Sequence, residues 1–287
     1  MLELMKPIVG IILPSSMDLY CAELAKGIED AVSDAGFYGL IGFSHEDSEI
    51  EIKLIKAMFE ADFQGVIVVP AGFEQQDFEC HLHKRMRKAV ASQTQLESDQ
   101  CSVSSDQVRG GFLGIEYLHG LGHKKITWVS GPEHHRRSNE RLLGISQAAR
   151  ELGVELTTIV APSLDLFSGE SIASQIISLD PLPDAIFAVN DAVALGIINS
   201  LVLAGIKVPQ DISVLGFDNI LPSESALIPL STISQTPYQL GHIMGEQLIT
   251  DFFDHRGHVH ERVIFPCEVV ERASTCNKAE IAVLDQS

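Results

Sequence analysis

Positive charge is what this 287-residue sequence has least of: 20 lysines and arginines stand against 39 aspartates and glutamates, a formal net charge of −19. Such a surface repels phosphates and offers few cations to displace counterions, so this stretch is not itself a nucleic-acid binder, and neutral or cationic ligands suit it better. Paired cysteines are also lacking. Cys21, Cys80, Cys101, Cys267 and Cys276 are odd in number, scattered and never spaced Cys-x-x-Cys, which excludes a disulfide framework or zinc ribbon and fits a reducing, cytoplasmic setting. The first apolar run, Ile8 to Leu13, ends in Pro14-Ser15-Ser16. It is too short for a membrane helix, lacks a convincing cleavage pattern, and reads as a strand. No low-complexity tract or charge block marks a flexible linker, so two domains would be joined by tight crossovers.

Enzyme motifs are missing too. The loop after the first strand has no glycine, and neither a Gly-x-Gly-x-x-Gly nor a Walker sequence occurs, so no phosphate cradle is encoded. Gly110-Gly111 and Gly114 fall in or beside a helical pattern, where close helix packing explains them. A Gly-x-Ser-x-Gly elbow is absent. Potential metal ligands crowd at Cys80-His81-x-His83, His134-His135 and His255-x-x-His258-x-His260. None has established site spacing and no His-Glu-x-x-His accompanies them, so surface histidines are the expectation and no metal or cofactor is assigned.

What is present is an ordinary globular composition, 45% hydrophobic, 21% charged and 6% aromatic, which excludes wholesale disorder. At about 150 residues per domain the length predicts two domains. β-Branched runs alternate with helical apolar spacing, the pattern of βα units in parallel sheets. Strands are predicted at Ile8–Leu13, Leu40–Phe43, Gly65–Val69, Ala89–Ser92, Lys125–Ser130, Leu156–Val160, Ala185–Val189 and Ser213–Gly216, with a terminal strand around Val263–Val270. Helices are predicted at Tyr20–Ala35, Glu49–Ala61, Asp77–Met86, Gln107–Leu121, Ser138–Leu152, Gly169–Leu179, Ala192–Ala204 and Tyr238–Phe253. Gly36, Gly122, Gly153 and Gly205 each stand where a helix should stop in a left-handed conformation. The halves repeat one plan, and the leftover helix and strand imply a chain that returns to the first lobe.

Ligands of open α/β sheets bind beyond the carboxyl ends of strands, so the polar residues there are the candidates. Asp18, Asn190-Asp191 and Asp218-Asn219 follow strands, and Arg141 lies just inside a helix that follows one. Carboxylates, an amide and a guanidinium suit a polyhydroxylated ligand such as a sugar. Each also has a structural alternative: Asp18 and Asn190 as helix N-caps, Asp218-Asn219 as a turn, Arg141 as a solvated helix residue.

The order of motifs resembles the lactose- and galactose-repressor (LacI/GalR) family of bacterial transcription regulators, in its effector-binding core, over about residues 7–274. The segments are Gly10-Ile11-Ile12-Leu13-Pro14, Phe63-Gln64-Gly65-Val66-Ile67-Val68-Val69-Pro70, Leu121-Gly122-His123-Lys124-Lys125-Ile126, Asn139-Glu140-Arg141-Leu142-Leu143-Gly144, Ala185-Ile186-Phe187-Ala188-Val189-Asn190-Asp191 and Val208-Pro209-Gln210-Asp211-Ile212-Ser213-Val214-Leu215-Gly216-Phe217-Asp218. The resemblance implies a periplasmic-binding-protein-like (type I) α/β fold, two doubly wound parallel-sheet lobes joined by three crossovers. The lobes would be residues 7–104 with 236–262 and 105–235 with 263–274, followed by a frayed tail at 275–287. It implies a small-molecule effector in the cleft, homodimerisation, and no catalysis.

Carried over position by position, the effector contacts would be Asp18, Arg141, Asn190, Asp218 and Gln235, with Tyr20 and Phe217 as weaker candidates for an aromatic wall that core packing also explains. Two departures stand out. Family members begin with a basic helix-turn-helix, whereas Met1–Pro7 leads straight into the first strand, so operator DNA would be read by a domain outside this sequence. Where the family commonly has an aspartate near the effector, Gln93 stands in Arg87-Lys88-Ala89-Val90-Ala91-Ser92-Gln93-Thr94. An amide makes no charge-assisted bond to a hydroxyl, and this leaves the sugar's identity open. The rival reading is an exported sugar-binding receptor of a transport system, for which unpaired cysteines in an oxidising compartment are awkward.

Overall fold

The computed structural model describes residues 7–70, 87–90, 101–133, 135–254 and 257–279. The chain divides into two compact units, residues 1–105 with 236–265 and residues 106–235 with 266–287, so it passes from one to the other at three points.

The first unit is built on a six-stranded sheet in which every pairing is parallel. Its strands are β1 (Ile8–Leu13), β2 (Tyr38–Phe43), β3 (Gly65–Val68), β4 (Arg87–Val90), β5 (Cys101–Ser105) and β11 (Arg262–Phe265), in the spatial order β11-β5-β4-β3-β1-β2. Ile11, Ile12, Val66, Ile67 and Val68 are wholly buried, as expected where both faces of a parallel sheet are covered. Helices α1 (Leu19–Asp34) and α2 (Ser48–Glu60) start at Asp18 and Asp47, whose carboxylates accept from the first free amides.

The second unit repeats the plan with β6 (Lys125–Ser130), β7 (Glu155–Val160), β8 (Ala185–Ala188), β9 (Ser213–Asp218), β10 (Ser231–Ser234) and β12 (Glu268–Val270), in the order β12-β10-β9-β8-β6-β7. Only β12 runs antiparallel to its neighbour. Around it lie α3 (Gln107–Gly120), α4 (Arg136–Leu152), α5 (Leu166–Ile177), α6 (Asp191–Leu203) and the short α7 (Leu221–Ser225), while α8 (Pro237–Phe253) returns to the first unit. The core is anchored by Trp128, Phe187 and Phe217, all wholly buried. Trp128 meets Phe187 edge-on at 5.1 Å, and Phe187 stacks with Phe217 at 6.4 Å. Where α3 crosses α4 there is no room for a side chain: a Cβ on Gly144 would lie 1.8 Å from the Val108 carbonyl oxygen, and one on Gly111 2.2 Å from that of Arg141. Among the described residues no helix is long and apolar enough to cross a membrane.

The four helix-stopping glycines have φ of +86°, +91°, +70° and +82° at positions 36, 122, 153 and 205, as their placement predicts. Several elements differ from expectation. The single terminal strand around 263–270 is two strands, β11 and β12, in different sheets, because Pro266 has no amide to continue a ladder. β5 and β10, Cys-Ser-Val-Ser-Ser and Ser-Thr-Ile-Ser, were not foreseen, since buried serines interrupt the apolar signal. β4 begins two residues before the predicted Ala89. The expected helix at 77–86 lies outside the described residues.

The frayed tail is corrected at its start, because residues 275–279 are tied down. Tyr117 and Ser231 share hydroxyl hydrogen bonds with Thr275 at 2.8 and 2.7 Å. The Cys276 carbonyl meets buried His123 at 3.1 Å, and Lys278 pairs with Asp184. The segment fills backbone and side-chain valences that β9, β10 and α3 leave open.

Candidate functional site

The second unit assembles a closed ring of polar side chains from residues distant in sequence. Arg141, in the second turn of α4, is 3% exposed and donates through Nε to Gln107 Oε1 at 2.7 Å. The Gln107 amide donates to Gln235 Oε1, and the Gln235 amide donates to Asp218 Oδ1. That same carboxylate oxygen lies 3.5 Å from Arg141 Nη2, closing the ring. Arg141 Nη1 also donates to the Val189 carbonyl, and the guanidinium lies 3.7 Å above the centre of the Phe217 ring. A charge this deeply buried is held only when paired and hydrogen-bonded, and both conditions are met here.

Local sequence explains the placement. Gln107 opens α3 after β5, while Val189, Asp218 and Gln235 end or follow β8, β9 and β10. Each is therefore at the carboxyl end of a parallel strand. Asp218 has φ +114° and Asn219 φ +63°, in a region that L-residues seldom occupy. The turn is held there from several sides. Asn219 Oδ1 accepts from Arg272 Nη2 at 2.8 Å, and Arg272 Nη1 donates to the Leu230 carbonyl at 2.8 Å.

Of the sequence candidates, Arg141, Phe217, Asp218 and Gln235 come together in this network. Arg141 is not the solvated helix residue of the alternative reading. Phe217 is wholly buried and serves as the apolar floor under Arg141. Asn190 adjoins the network but works as the N-cap of α6: its Oδ1 accepts from Val193 N at 2.9 Å and its Nδ2 donates to the Leu164 carbonyl at 2.8 Å. In the first unit Asp18 caps α1, accepting from Tyr20 N at 3.0 Å, and Tyr20 is packed in the core at 5% exposure. Gln93 lies outside the described residues, as do Cys80, His81, His83, His134 and His255. His135 caps α4 through Nδ1, which accepts from Ser138 N.

One residue was missed, and the candidate Asp191 has a different role. Gln107 bridges Arg141 to Gln235, and only recognition of β5 would have marked it as following a strand. Asp191 is a structural carboxylate. It is wholly buried and accepts from Ile220 N at 3.0 Å, Ser223 Oγ at 2.6 Å and Thr232 Oγ1 at 2.5 Å, bracing β10 and α7 against α6. Burial pushes its pKa up to about 6 against the opposing pull of those donors.

Two units, each on a doubly wound and mostly parallel sheet, with polar groups gathered at strand carboxyl ends of the second, define a small-molecule-binding class of fold. Residues 115–275 match the family described as periplasmic binding protein-like domain. The chain is 30% identical over 275 residues to the HTH-type transcriptional regulator DegA of Bacillus subtilis (strain 168), covering 93% of this chain and 80% of that one. Its identity to the HTH-type transcriptional repressor CytR of Escherichia coli (strain K12) is 27% over 270 residues, covering 92% and 78%. Among solved structures, a LacI family transcriptional regulator from Enterococcus faecalis V583 with bound ribose superposes with a TM-score of 0.83 at 26% identity, over 94% of this chain and 99% of that one. The chain belongs to the LacI family of transcriptional regulators, and its residues correspond to the effector-binding core.

Proposed function

We propose that this core binds a neutral sugar against the Arg141–Asp218 network and acts as a homodimeric, cytoplasmic regulator without catalytic activity. Occupancy would be transmitted to a helix-turn-helix that reads operator DNA. The observation that carries the reading is the buried ring of Arg141, Gln107, Gln235 and Asp218 over Phe217. One cation and one anion in a single network leave the site neutral overall, and its donors and acceptors match neighbouring hydroxyls on a sugar ring. The E. faecalis relative, solved with ribose, supports the same ligand class. Asn190, in the same unit and beside Val189, is the further contact proposed. A sugar can regulate only by binding one arrangement of the protein more tightly than another, and the coupling is reciprocal.

The test is thermal denaturation and calorimetric titration against D-ribose, other pentoses and hexoses, sugar phosphates and nucleosides. A neutral sugar is expected to raise the melting temperature, by about 2.7 kcal/mol of stabilisation at a hundred times its Kd. Arg141→Lys and Asp218→Asn are expected to weaken it at least about tenfold, roughly 1.4 kcal/mol. Binding undiminished in both folded variants, or binding of phosphorylated compounds alone, would overturn the assignment. Sedimentation should show a dimer, and a monomer at high protein concentration refutes that part.

A further inference from the structure

In the first unit three metal-ligating side chains converge. Cys101, at the start of β5, is buried at 1% exposure. Its Sγ lies 2.9 Å from His258 Nε2 and 3.5 Å from His260 Nδ1, and the three ligand atoms all lie within 4.8 Å of one another. The two imidazoles stand edge to face at 4.8 Å. We propose that Cys101, His258 and His260 form a binding site for a transition-metal dication of the zinc type, with the fourth coordination position open to water.

The backbone presents these groups for a reason. His258 and His260 are alternate residues leading into β11, so their side chains leave the chain on the same side. The stretch is pinned at both ends. His258 N donates to the Asp254 carbonyl at 2.7 Å, and Ser102 N donates to the Glu261 carbonyl at 3.0 Å, where the parallel pairing of β11 with β5 begins at Arg262 and Ser102. That pairing sets Cys101 beside the two histidines.

Zinc bonds of about 2.3 Å to sulfur and about 2.0–2.1 Å to nitrogen, at tetrahedral angles, set sulfur and nitrogen about 3.5 Å apart. Cys101 and His260 already stand at that separation, and the 2.9 Å contact to His258 has to open by about 0.6 Å. A thiolate with two imidazoles selects borderline-soft dications over calcium or magnesium. Two carboxylates, Asp251 and Glu261, act electrostatically on the Cys101 thiol, and a cation suits that setting. Both histidines are half-buried, so solvent reaches the open position.

The test uses the untagged 287-residue chain, stripped of metal by chelation, titrated with Co2+ and then with Zn2+. One equivalent of Co2+ should produce a thiolate-to-cobalt charge-transfer band and the visible bands of a tetrahedral ion, and Zn2+ should remove both. Cys101→Ser should abolish the charge-transfer band. His258→Gln and His260→Gln, at half-exposed positions that do not threaten the fold, should each weaken Zn2+ binding at least about tenfold. No charge-transfer band at millimolar Co2+, a band that survives Cys101→Ser, or one indifferent to both histidine substitutions overturns the proposal.

Discussion

Replacing Arg141 by leucine tests the energetic logic of the polar ring directly. The substitution takes a guanidinium that is 4% exposed away from an Asp218 carboxylate that is 8% exposed, and removes the donors to Gln107 and the Val189 carbonyl. Breaking a buried pair by deleting one partner strands the other charge and costs about 3–5 kcal/mol. In a unit of roughly 150 residues this lowers the melting temperature by about 6–20 °C. The assay is urea unfolding followed by tryptophan fluorescence, because the sole tryptophan, Trp128, is wholly buried in this unit's core and reports on its unfolding. Asp218→Asn, whose amide tolerates the positive φ, should cost a similar amount by stranding Arg141. With both charges removed, the double variant should be at least about 1–2 kcal/mol more stable than the sum of the singles predicts. An Arg141→Leu protein within about 1 kcal/mol of wild type, or a cycle additive within about 0.5 kcal/mol, refutes the reasoning.

Two further outcomes follow from the second unit. Asp191 has its folded pKa raised to about 6, so it favours the folded state most below the unfolded value near 3.8 and loses that contribution as the pH rises through about 6. The stability cost of Asp191→Asn should therefore be largest near pH 4 and shrink by pH 7, and a cost independent of pH in urea titrations would contradict the buried-carboxylate account. Gly144→Ala forces a methyl to 1.8 Å from the Val108 carbonyl oxygen, and overpacking of this kind costs about 1–3 kcal/mol. Trp128 fluorescence showing unchanged stability would mean that α3 and α4 can separate freely.

Periodicity and helix stops carried most of the elements: β1, β6, β8, α1, α4 and the four left-handed glycines stand within a few residues of where apolar spacing placed them. The elements that were missed share a cause. β5 and β10 are polar in composition yet buried: the backbone of β5 pairs with β4 and β11, and Ser231 of β10 finds partners in residues 272–275, and such pairing is invisible in a linear apolar pattern. Pro266 is legible as a strand breaker, but that it also marks the last passage between the two units was not.

Sequence alone determined the fold class, the helix stops and the residue types able to meet a hydroxylated ligand, because these depend on spacing within a few turns of chain. Tertiary structure decided which of those residues work together. Arg141, Gln107, Gln235 and Asp218 span more than a hundred positions and meet only because α3, α4 and the ends of β9 and β10 come together in the second unit, while Asn190 and Asp18 are held by their own helices as caps. The meeting of Cys101 with His258 and His260 is of the same kind. It is set by the register of β11 against β5, and long-range register leaves no trace in local sequence.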